Sequence, residues 1–452
     1  MTSTRKDPVL AVLQLSGGND ALNTIVPYAD PLYSDNRPSV RVSEDQVLKI
    51  DDHIGFNPAL GPIKDLFDQG KLAIILGVGY PNPNRSHFRS MDIWHTCEPE
   101  KVGSEGWLGR AIRDLDPQGE NVLTGVNFGR GLPRSLAAPG VPVASVGNLE
   151  TYGVLTGIDD DQRDEALDIF SRMYSPAMGR GQVMDYLSHT GMDALKGADI
   201  LSTAPEKYSS TIEYGNDSVA QYMRNIAQTH IAGFGTRFLY TTAPYNSFDT
   251  HAGQMVGHSA LWGQVSAAVR DFQADLVENN AADNMTLLVF TEFGRRVHDN
   301  GSGTDHGSGG IAFVVGENVK GGVYGEYPSL EESKLLEGDL HFNNDFRGLY
   351  STLLEKWIGI DAKSGDMLWR ASRKGRTATV STPIFHEGHI FVSSAYGVGC
   401  NGFKVTRNKA GFSAKQIYAN KGISNHHGGC IRVGDYVYGS SSGTLACLEL
   451  KT

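Results

Sequence analysis

Apolar runs and helical repeats alternate along the first 360 residues of the chain. Val9–Leu15 is almost entirely apolar and ends at a Gly-Gly turn, which is typical of a buried strand. Similar runs predict strands at 72–78, 238–241, 285–290 and 311–315. Apolar residues at helical spacing predict helices at 60–70, 161–174, 183–195, 219–232, 259–277 and 349–357. This alternation predicts an α/β domain over residues 1–360, with a mainly parallel sheet sandwiched by helices.

The pattern changes after residue 360. Helical repeats stop, glycines become frequent, and short apolar runs predict strands at 382–384, 389–392, 431–432 and 436–438. Glu387-Gly388 and Gly434-Asp435 are turn signals between them. Residues 361–452 are therefore predicted to form a separate, small all-β module.

Composition and charge narrow the range of functions. The chain has 452 residues, of which 40% are hydrophobic and 20% charged, as expected for a globular protein with a large core. Its formal net charge of −11 argues against binding to nucleic acid or to an anionic membrane, because phosphate groups attract clustered Lys and Arg. Bound metal ions can still reverse the sign of the charge locally and attract an anionic substrate.

The chain shows no sign of membrane insertion or of a signal peptide. No stretch approaches the roughly eighteen apolar residues of a membrane span. The first residues are polar and lack a cleavage site, which predicts a cytoplasmic protein, or a periplasmic or secreted one if a leader is missing. The four cysteines show no C-x-x-C pairing, which favours thiols over a disulfide framework.

Residues of metal-ligand type follow the predicted strands. The carboxyl ends of strands in an open α/β sheet meet at one edge, so these side chains are expected to converge there. In an extended chain, side chains two residues apart point to the same side. Asp249 and His251 of the segment Asp249-Thr250-His251 can therefore bind one ion. Adjacent Asp305 and His306 point oppositely and can serve two ions. The predicted ligands are Asp20, Asp249, His251, Glu292, Asp305 and His306.

The mixture of carboxylates and imidazoles favours zinc, manganese or iron over calcium, with zinc or manganese preferred. Two such ions about 4 Å apart can clamp the attacking and leaving oxygens of a displacement at phosphorus or sulfur. The predicted chemistry is therefore metal-assisted hydrolysis of a small anionic ester.

A nucleophile candidate follows the strand at 72–78. Ser86 is expected near the start of a helix, where backbone N–H groups favour anions, and a metal ion can activate its hydroxyl. Arg85 can bind a tetrahedral anion with two parallel hydrogen bonds. Ser86 and Arg85 are the predicted catalytic residues.

Structural alternatives accompany several of these residues. Asp20 lies in a Gly-rich turn, Ser86 is also a suitable helix N-cap, and Glu292 can form a buried ion pair with Arg295. Four histidines have no partner that the sequence identifies and are treated as ordinary surface or core residues: His87, His95, His189 and His230.

The segment 15–28 (LSGGNDALNTIVPY) resembles the opening of an uncharacterised bacterial family, a domain of unknown function numbered fifteen hundred and one. Four further motifs match that family's landmarks in order: NRSHF at 84–88, FDTH at 248–251, TEFGR at 291–295 and GTDHG at 303–307. The resemblance covers about residues 7–360, and the family is grouped with the alkaline phosphatase and sulfatase superfamily. It implies that fold, a two-metal site, and hydrolysis of a phosphate or sulfate ester.

Carried over from the resemblance, Asp20, Asp249, His251, Asp305 and His306 take metal-ligand positions, and Ser86 takes the nucleophile position. Two departures matter. The superfamily's enzymes usually add a late metal-binding His, and His341 is the only one left in the domain. The Cys/Ser-x-Pro-x-Arg motif of sulfatases is missing around Ser86, which favours phosphate over sulfate.

The tail resembles a different class of protein. DAKSGDMLW at 361–369 is similar to a repeat of pyrrolo-quinoline-quinone-type β-propellers, and the segment 425–439 fits the same pattern. About two blades are present, fewer than a closed ring requires, so no quinone is expected to bind. Such a fragment has to pack on the first domain, self-associate through the β tail, or stay poorly ordered. His426-His427 is assigned to a loop or packing role rather than a metal site, and a fusion near Asp361 is an alternative origin of the tail.

Two functions remain open at this point. The preferred one is a metal-dependent hydrolase, and the alternative is a non-catalytic binding or scaffold protein on a degenerate version of the fold. A third, weaker interpretation gives the function to the tail as an interaction module.

Overall fold

The structure is a computed structural model. It describes residues 6–147, 149, 182–243, 246–360, 384–394, 399–408, 411–424, 430–441 and 444–451, together with positions 162, 165, 168, 169 and 172. The chain divides into two compact units, Met1–Ile358 and Gly359–Thr452, and each is described by itself. The helix predicted at 161–174, the motif at 361–369 and His426-His427 lie outside the described residues, apart from single positions of that helix.

The first unit contains twelve strands in its described part. In chain order they are β1 Val9–Leu15, β2 Ile25–Val26, β3 Leu48–Lys49, β4 Gly55–Phe56, β5 Leu72–Gly79, β6 Gly125–Phe128, β7 Ala144–Val146, β8 Phe238–Thr242, β9 Met285–Thr291, β10 Gly310–Val315, β11 Gly322–Tyr324 and β12 Asn344–Asp345. Nine of them form the central sheet in the order β11-β5-β10-β9-β1-β8-β6-β7, with β12 beside β5. The short strands β2, β3 and β4 form a separate antiparallel sheet.

The central sheet is mainly parallel, as the sequence predicts, with β10 as its antiparallel strand. β10 pairs antiparallel with both β5 and β9, while the other pairs in the sheet are parallel. The residues of β1 and β9 are all buried, which explains their nearly continuous apolar sequences. The sequence analysis missed β6 and β7, which are only four and three residues long.

Helices flank the sheet. Their described bounds are α1 Pro31–Asn36, α2 Gly61–Asp68, α3 His87–Thr96, α4 Trp107–Leu115, α5 Gln182–Leu201, α6 Ser218–Ile231, α7 Gln254–Glu278 and α8 Phe346–Thr352, followed by a π-helical turn at Leu353–Ile358. The predicted helices at 183–195, 219–232 and 259–277 correspond to α5, α6 and α7. On α7, the apolar face that includes Trp262, Val265, Val269 and Phe272 is buried in the core. No helix in the described part of the chain is long and apolar enough to span a membrane.

The strand register places the ends of several strands at the same level of the sheet. Leu15, the last residue of β1, lies opposite Thr291 at the end of β9, and Gln14 lies opposite Thr242 at the end of β8. Because β10 is antiparallel, its first residue, Gly310, lies opposite Val78 near the end of β5. The loops after β1, β5 and β8 and the loop that joins β9 to β10 therefore share one edge of the sheet.

The described part of the second unit is antiparallel β structure. One sheet contains β13 Ile384–His386, β14 His389–Ser394, β15 Gly399–Asn408 and β16 Gly411–Asn420. The other contains β17 Ile431–Val433, β18 Tyr436–Ser441 and β19 Thr444–Glu449. The all-β character agrees with the sequence, although the ten-residue strands β15 and β16 are longer than any predicted strand in this region. The propeller resemblance stays a prediction.

Candidate metal centre

The loops at the common edge of the sheet are tied together by Arg295. This guanidinium is completely buried and donates to the backbone carbonyls of Gly18 at 2.7 Å, Phe248 at 2.9 Å and Thr304 at 3.0 Å. Its Nη2 also lies 2.6 Å from Oδ1 of Asp249. The ion pair proposed between Glu292 and Arg295 is thus formed by Asp249 instead, and one side chain fixes the loops after β1, β8 and β9.

Gly17 permits two of these loops to approach closely. Its φ of +117° belongs to a conformation that L side chains rarely adopt. A Cβ atom at this position would lie 2.4 Å from the backbone nitrogen of Asp249. The Gly-Gly turn after β1 is therefore a requirement for placing Asp249 at the edge of the sheet.

Three imidazoles and one carboxylate meet at this edge. Nε2 of His306 lies 3.0 Å from Nε2 of His87, 2.9 Å from Nε2 of His251 and 3.1 Å from Oδ1 of Asp249. Nε2 of His251 is also 3.0 Å from Oδ1 of Asp249, and Nε2 of His87 is 3.5 Å from Oδ2. We call these four residues the imidazole cluster.

The other nitrogen of each ring is held by an oxygen. Nδ1 of His87 lies 2.9 Å from Oε1 of Glu292, Nδ1 of His251 lies 2.9 Å from Oδ1 of Asp305, and Nδ1 of His306 lies 2.8 Å from the carbonyl of Arg85. A backbone carbonyl and a carboxylate group accept hydrogen bonds, which favours the tautomer with the proton on Nδ1 in each of the three rings. Each Nε2 then presents a lone pair to the cluster.

This arrangement leaves lone pairs facing one another at hydrogen-bond distance. Between His306 and its neighbours His87 and His251, neither Nε2 atom of a pair has a proton to donate once Nδ1 is protonated. A cation shared by these atoms, either a metal ion or an added proton, removes the repulsion. Metal-bound histidines in proteins are typically fixed in this way, by a carboxylate or carbonyl on the far nitrogen.

The surroundings of the cluster favour the protonation states that bind a metal ion, namely ionised carboxylates and neutral imidazoles. Although burial favours the neutral acid, the hydrogen bond and the charge of Arg295 hold the pKa of Asp249 below its usual value. The hydrogen bond from His251 lowers the pKa of Asp305. Burial lowers the pKa of His306, which keeps that ring neutral and able to bind a cation.

The donor set fits a transition metal better than calcium. Ligand atoms of His87, Asp249 and His306 all lie within 4.8 Å of one another, and His251 adjoins the last two. Zinc–nitrogen bonds of about 2.0–2.1 Å place tetrahedral ligands about 3.3 Å apart, close to the separations within the cluster. Imidazole nitrogen with one carboxylate suits zinc, manganese or iron.

Glu292 and Asp305 support the cluster from outside in this structure. Glu292 is fully buried and also accepts hydrogen bonds from the backbone of Gly17 at 2.9 Å and from the hydroxyl of Thr291 at 2.9 Å. Asp305 is more exposed and accepts a weaker contact from Asn300 at 3.4 Å. Each carboxylate contacts Nδ1 of a histidine, and the direct ligand roles predicted for both stay predictions.

Asp20 is not placed in the imidazole cluster. Its carboxylate is fully buried and accepts two hydrogen bonds from Arg37, at 2.6 and 3.1 Å, and one from the side chain of Gln254. Burial raises the pKa of Asp20, but the charge and hydrogen bonds of Arg37 outweigh burial, and the pKa lies below its usual value. In this structure Arg37 takes the place of a cation beside Asp20, and the ligand role predicted for Asp20 stays a prediction.

The two predicted catalytic residues lie beside the cluster in sequence but differ in setting. Ser86 is exposed at the N-cap of α3, where its hydroxyl makes no capping bond and its backbone N–H donates to Asn84 at 2.9 Å. The Arg85 guanidinium bonds to Asp339 at 2.8 Å, and the Arg85 carbonyl is the acceptor for His306. Their catalytic roles stay predictions.

His87 is the cluster residue that the sequence analysis missed. Its motif NRSHF was singled out for Ser86, and the signal was available: the His begins a helix directly after the loop that follows β5. Of the other histidines, His95 is buried, and burial lowers its pKa to about 4. His230 bonds to the carbonyl of Ala281 and His341 to that of Phe342. The side chain of His189 lies outside the described residues.

Comparison with solved structures finds proteins of the alkaline phosphatase and sulfatase group at low identity. A protein in the alkaline phosphatase superfamily from Vibrio parahaemolyticus is 10% identical, with 98% of this chain and 82% of that chain covered and a TM-score of 0.34. The lipoteichoic acid synthase LtaP from Listeria monocytogenes is 8% identical, with coverages of 91% and 87% and a TM-score of 0.34. A putative sulfatase from Bacteroides thetaiotaomicron is 12% identical, with coverages of 99% and 86% and a TM-score of 0.30.

A comparison with curated proteins found no match. A family model, in contrast, matches residues 9–363, which contain every member of the imidazole cluster and all the motifs on which the resemblance was based. The chain belongs to the family described as Protein of unknown function (DUF1501).

Proposed function

We propose that this protein is a metal-dependent hydrolase of a phosphate ester, with its metal held by His87, Asp249, His251 and His306. The observation that carries the proposal is the convergence of three Nε2 atoms around the carboxylate of Asp249, while each Nδ1 contacts a hydrogen-bond acceptor. When bound, a divalent metal supplies a Lewis acid that polarises the phosphoryl oxygen and lowers the pKa of a coordinated water or hydroxyl. The two-metal site that the resemblance implies is a more specific form of the same proposal.

The chain's own residues have separable tasks. Glu292 and Asp305 fix the proton of their histidine on Nδ1 and so keep Nε2 available. Arg295 holds Asp249 ionised and in place while joining three loops. Ser86 follows Arg85 at the start of α3, and its exposed hydroxyl is the candidate nucleophile. Phosphate is preferred over sulfate because the sequence around Ser86 lacks the Cys/Ser-x-Pro-x-Arg motif.

The test begins with metal content. Protein stripped with chelator is soaked in zinc or manganese, and bound metal is measured by elemental analysis before and after gel filtration. We expect at least one tightly bound ion per chain, and hydrolysis of a generic phosphomonoester or phosphodiester that depends on it. Protein that takes up no metal at neutral pH would refute the proposal, since a proton would then be the cation shared by the histidines.

The scaffold alternative is kept because two predicted site residues have other partners: Asp20 is bound to Arg37, and Arg85 to Asp339. Ser86→Ala separates the two functions once metal is bound. Loss of turnover at unchanged metal content supports a serine nucleophile. Metal-loaded parent protein that hydrolyses no phosphate or sulfate ester supports the binding protein.

A further inference from the structure

Arg85 and Arg296 share one buried carboxylate, that of Asp339. Nε of Arg85 donates to Oδ2 of Asp339 at 2.8 Å, and Nε of Arg296 lies 3.7 Å from Oδ1 of the same residue. Asp339 is completely buried, and its Oδ1 has no hydrogen-bond partner. One carboxylate therefore anchors two positive charges and is itself incompletely satisfied.

The two guanidinium groups remain open to solvent although their anchor does not. The side chains of Arg85 and Arg296 are 34% and 39% exposed, whereas that of Asp339 is 0% exposed. Both contacts with Asp339 are made through Nε, which supplies only one of the five N–H donors of an arginine. The terminal nitrogens, which bind oxyanions in two-pronged fashion, are not used by this carboxylate.

The backbones of both arginines are joined to the imidazole cluster and its support. The carbonyl of Arg85 accepts the Nδ1 proton of His306. The N–H of Arg296 donates to the carbonyl of Asp305 at 3.0 Å, and a strand-like bridge between Arg295 and His306 keeps these two segments side by side. Arg296 also forms an isolated strand-like bridge with Asp339 itself. The backbones of both arginines thus contact the segment that carries Asp305 and His306.

We propose that Arg85 and Arg296, positioned by Asp339, form a clamp for the phosphoryl oxygens of the substrate. We call these three residues the arginine clamp. The inference rests on the proposed function, which supplies the substrate, and it deepens that function by naming the residues that recognise the anion. Arg85 was predicted from the sequence to bind a tetrahedral anion, whereas Arg296 and Asp339 become visible only in the fold.

The carboxylate of Glu337 competes with an incoming anion for Arg85. Its Oε2 lies 3.5 Å from Nη2 of Arg85, and its side chain is 79% exposed. Such an exposed ion pair contributes little to stability, so an incoming oxyanion can displace the carboxylate from Arg85 at low cost. The carboxylate of Glu337 therefore mimics the ligand, and removing its charge should strengthen anion binding.

The experiment measures the binding of inorganic phosphate to metal-loaded protein by calorimetric titration, with inorganic sulfate as a second probe. Metal content is determined separately for every variant, so that loss of metal is not mistaken for loss of the clamp. We expect Arg296→Gln to weaken phosphate binding about tenfold or more, and Arg296→Lys to restore part of the affinity. Arg113→Gln is the matched control, because Arg113 is also a partly exposed arginine paired with a carboxylate, Glu105.

Two further variants test how the clamp works. Glu337→Gln should tighten phosphate binding by up to about fivefold, a gain that a purely structural role for Arg85 does not predict. Asp339→Asn should weaken phosphate binding and raise KM for a phosphate ester more than it lowers kcat, because Asp339 positions the arginines without touching the substrate. Sulfate that binds as tightly as phosphate would assign the clamp to tetrahedral oxyanions in general and support the same geometry.

The clamp is overturned if Arg296→Gln binds phosphate as tightly as the parent at equal metal content. It is also overturned if the metal-loaded parent binds neither anion, and in that case the metal proposal still stands. Failure of the parent to take up metal refutes the proposed function instead. The two ideas can therefore fail separately.

Discussion

Two polar clusters lie at the loops that follow the central strands, and they differ in how their charges are satisfied. Around Asp20, one carboxylate is matched by one guanidinium, Arg37, and both side chains are fully buried. In the imidazole cluster, three rings present lone pairs to each other and to Asp249, and no described side chain places a cation among them. Arg295, which also contacts Asp249, does so from the side of the buried loops.

This comparison teaches that residue type alone does not define a metal site. Asp20, Asp249 and Asp305 were all predicted as ligands, with a turn role as the alternative for Asp20, and of the three only Asp249 and Asp305 contact the histidines of the cluster. The pair of Asp20 and Arg37 is internally neutral, whereas the imidazole cluster, with Nδ1 protonated in each ring, gains from a shared cation as the proposed function requires. The four following predictions test this contrast.

The largest effect is expected for Arg37→Leu. Removing the guanidinium leaves Asp20 buried and unpaired, which should lower the free energy of unfolding by about 3–5 kcal/mol. The measurement is urea unfolding of the metal-free protein. Arg113→Leu, which breaks the more exposed pair with Glu105, should cost no more than about 1 kcal/mol. Equal losses in the two variants would contradict the structural role assigned to Asp20 and Arg37.

His306→Ala should have its effect on metal binding instead. Nε2 of His306 contacts both other histidines of the cluster and Asp249, so its loss should weaken metal affinity about a hundredfold or more. The measurement is competition with a chromogenic chelator at neutral pH. His341→Ala is the control, because His341 is exposed and bonds only to a neighbouring carbonyl among its described contacts. A comparable loss in the control would restore the late-histidine position implied by the resemblance.

The sequence predicted the sheet well because buried parallel strands carry their own signature. Val9–Leu15 was predicted with the observed bounds, and the strand predicted at 72–78 differs from the observed one by a single residue. The antiparallel direction of β10 was missed, because direction depends on how the chain returns through the loop at 292–309 and not on local composition. Short strands such as β7, with three residues, have too little pattern to detect.

The site was predicted in part, for a related reason. Asp249, His251 and His306 follow from their positions after strands or in a loop at the edge of the sheet. His87 was missed because it begins a helix, where its role depends on the buried acceptor Glu292, which is 205 positions away in the chain. Asp20 was assigned as a ligand because the sequence does not show that Arg37 folds back onto it. Pairing across long separations is the information that a single sequence lacks.

Glu292→Gln should produce an intermediate effect and sharpen the comparison within the cluster. The amide keeps the size of the side chain but no longer acts as a charged acceptor for Nδ1 of His87, so metal affinity should fall about ten- to a hundredfold. Asp305→Asn should cost less, because Asp305 is more exposed than the fully buried Glu292. Chelator competition on both variants gives the order. An unchanged affinity in Glu292→Gln would show that His87 is not a ligand.

The smallest effect is a difference in pH dependence between the two clusters. Because Arg37 lowers the pKa of Asp20 against the effect of burial, the unfolded chain binds a proton at this carboxyl more readily than the folded one. The resulting stability is present above about pH 4 and is lost as the pH falls through the lowered pKa of the folded state. Each unit by which the pKa is lowered corresponds to about 1.4 kcal/mol.

Metal binding should respond in a different window. Protons compete with the metal for Nε2, so affinity should decline as the pH falls. Because burial lowers the pKa of His306, protonation of that ring sets in below its ordinary range. Two measurements separate the pH dependence of stability from that of metal binding. One is unfolding of the metal-free parent and of Asp20→Asn between about pH 2 and 5, and the other is metal titration of both between about pH 5 and 8. Asp20→Asn should flatten the acid limb of the stability curve and leave the metal titration unchanged. A metal titration that shifts in this variant would return Asp20 to the ligand set, because only a shared cation couples the two clusters in that way.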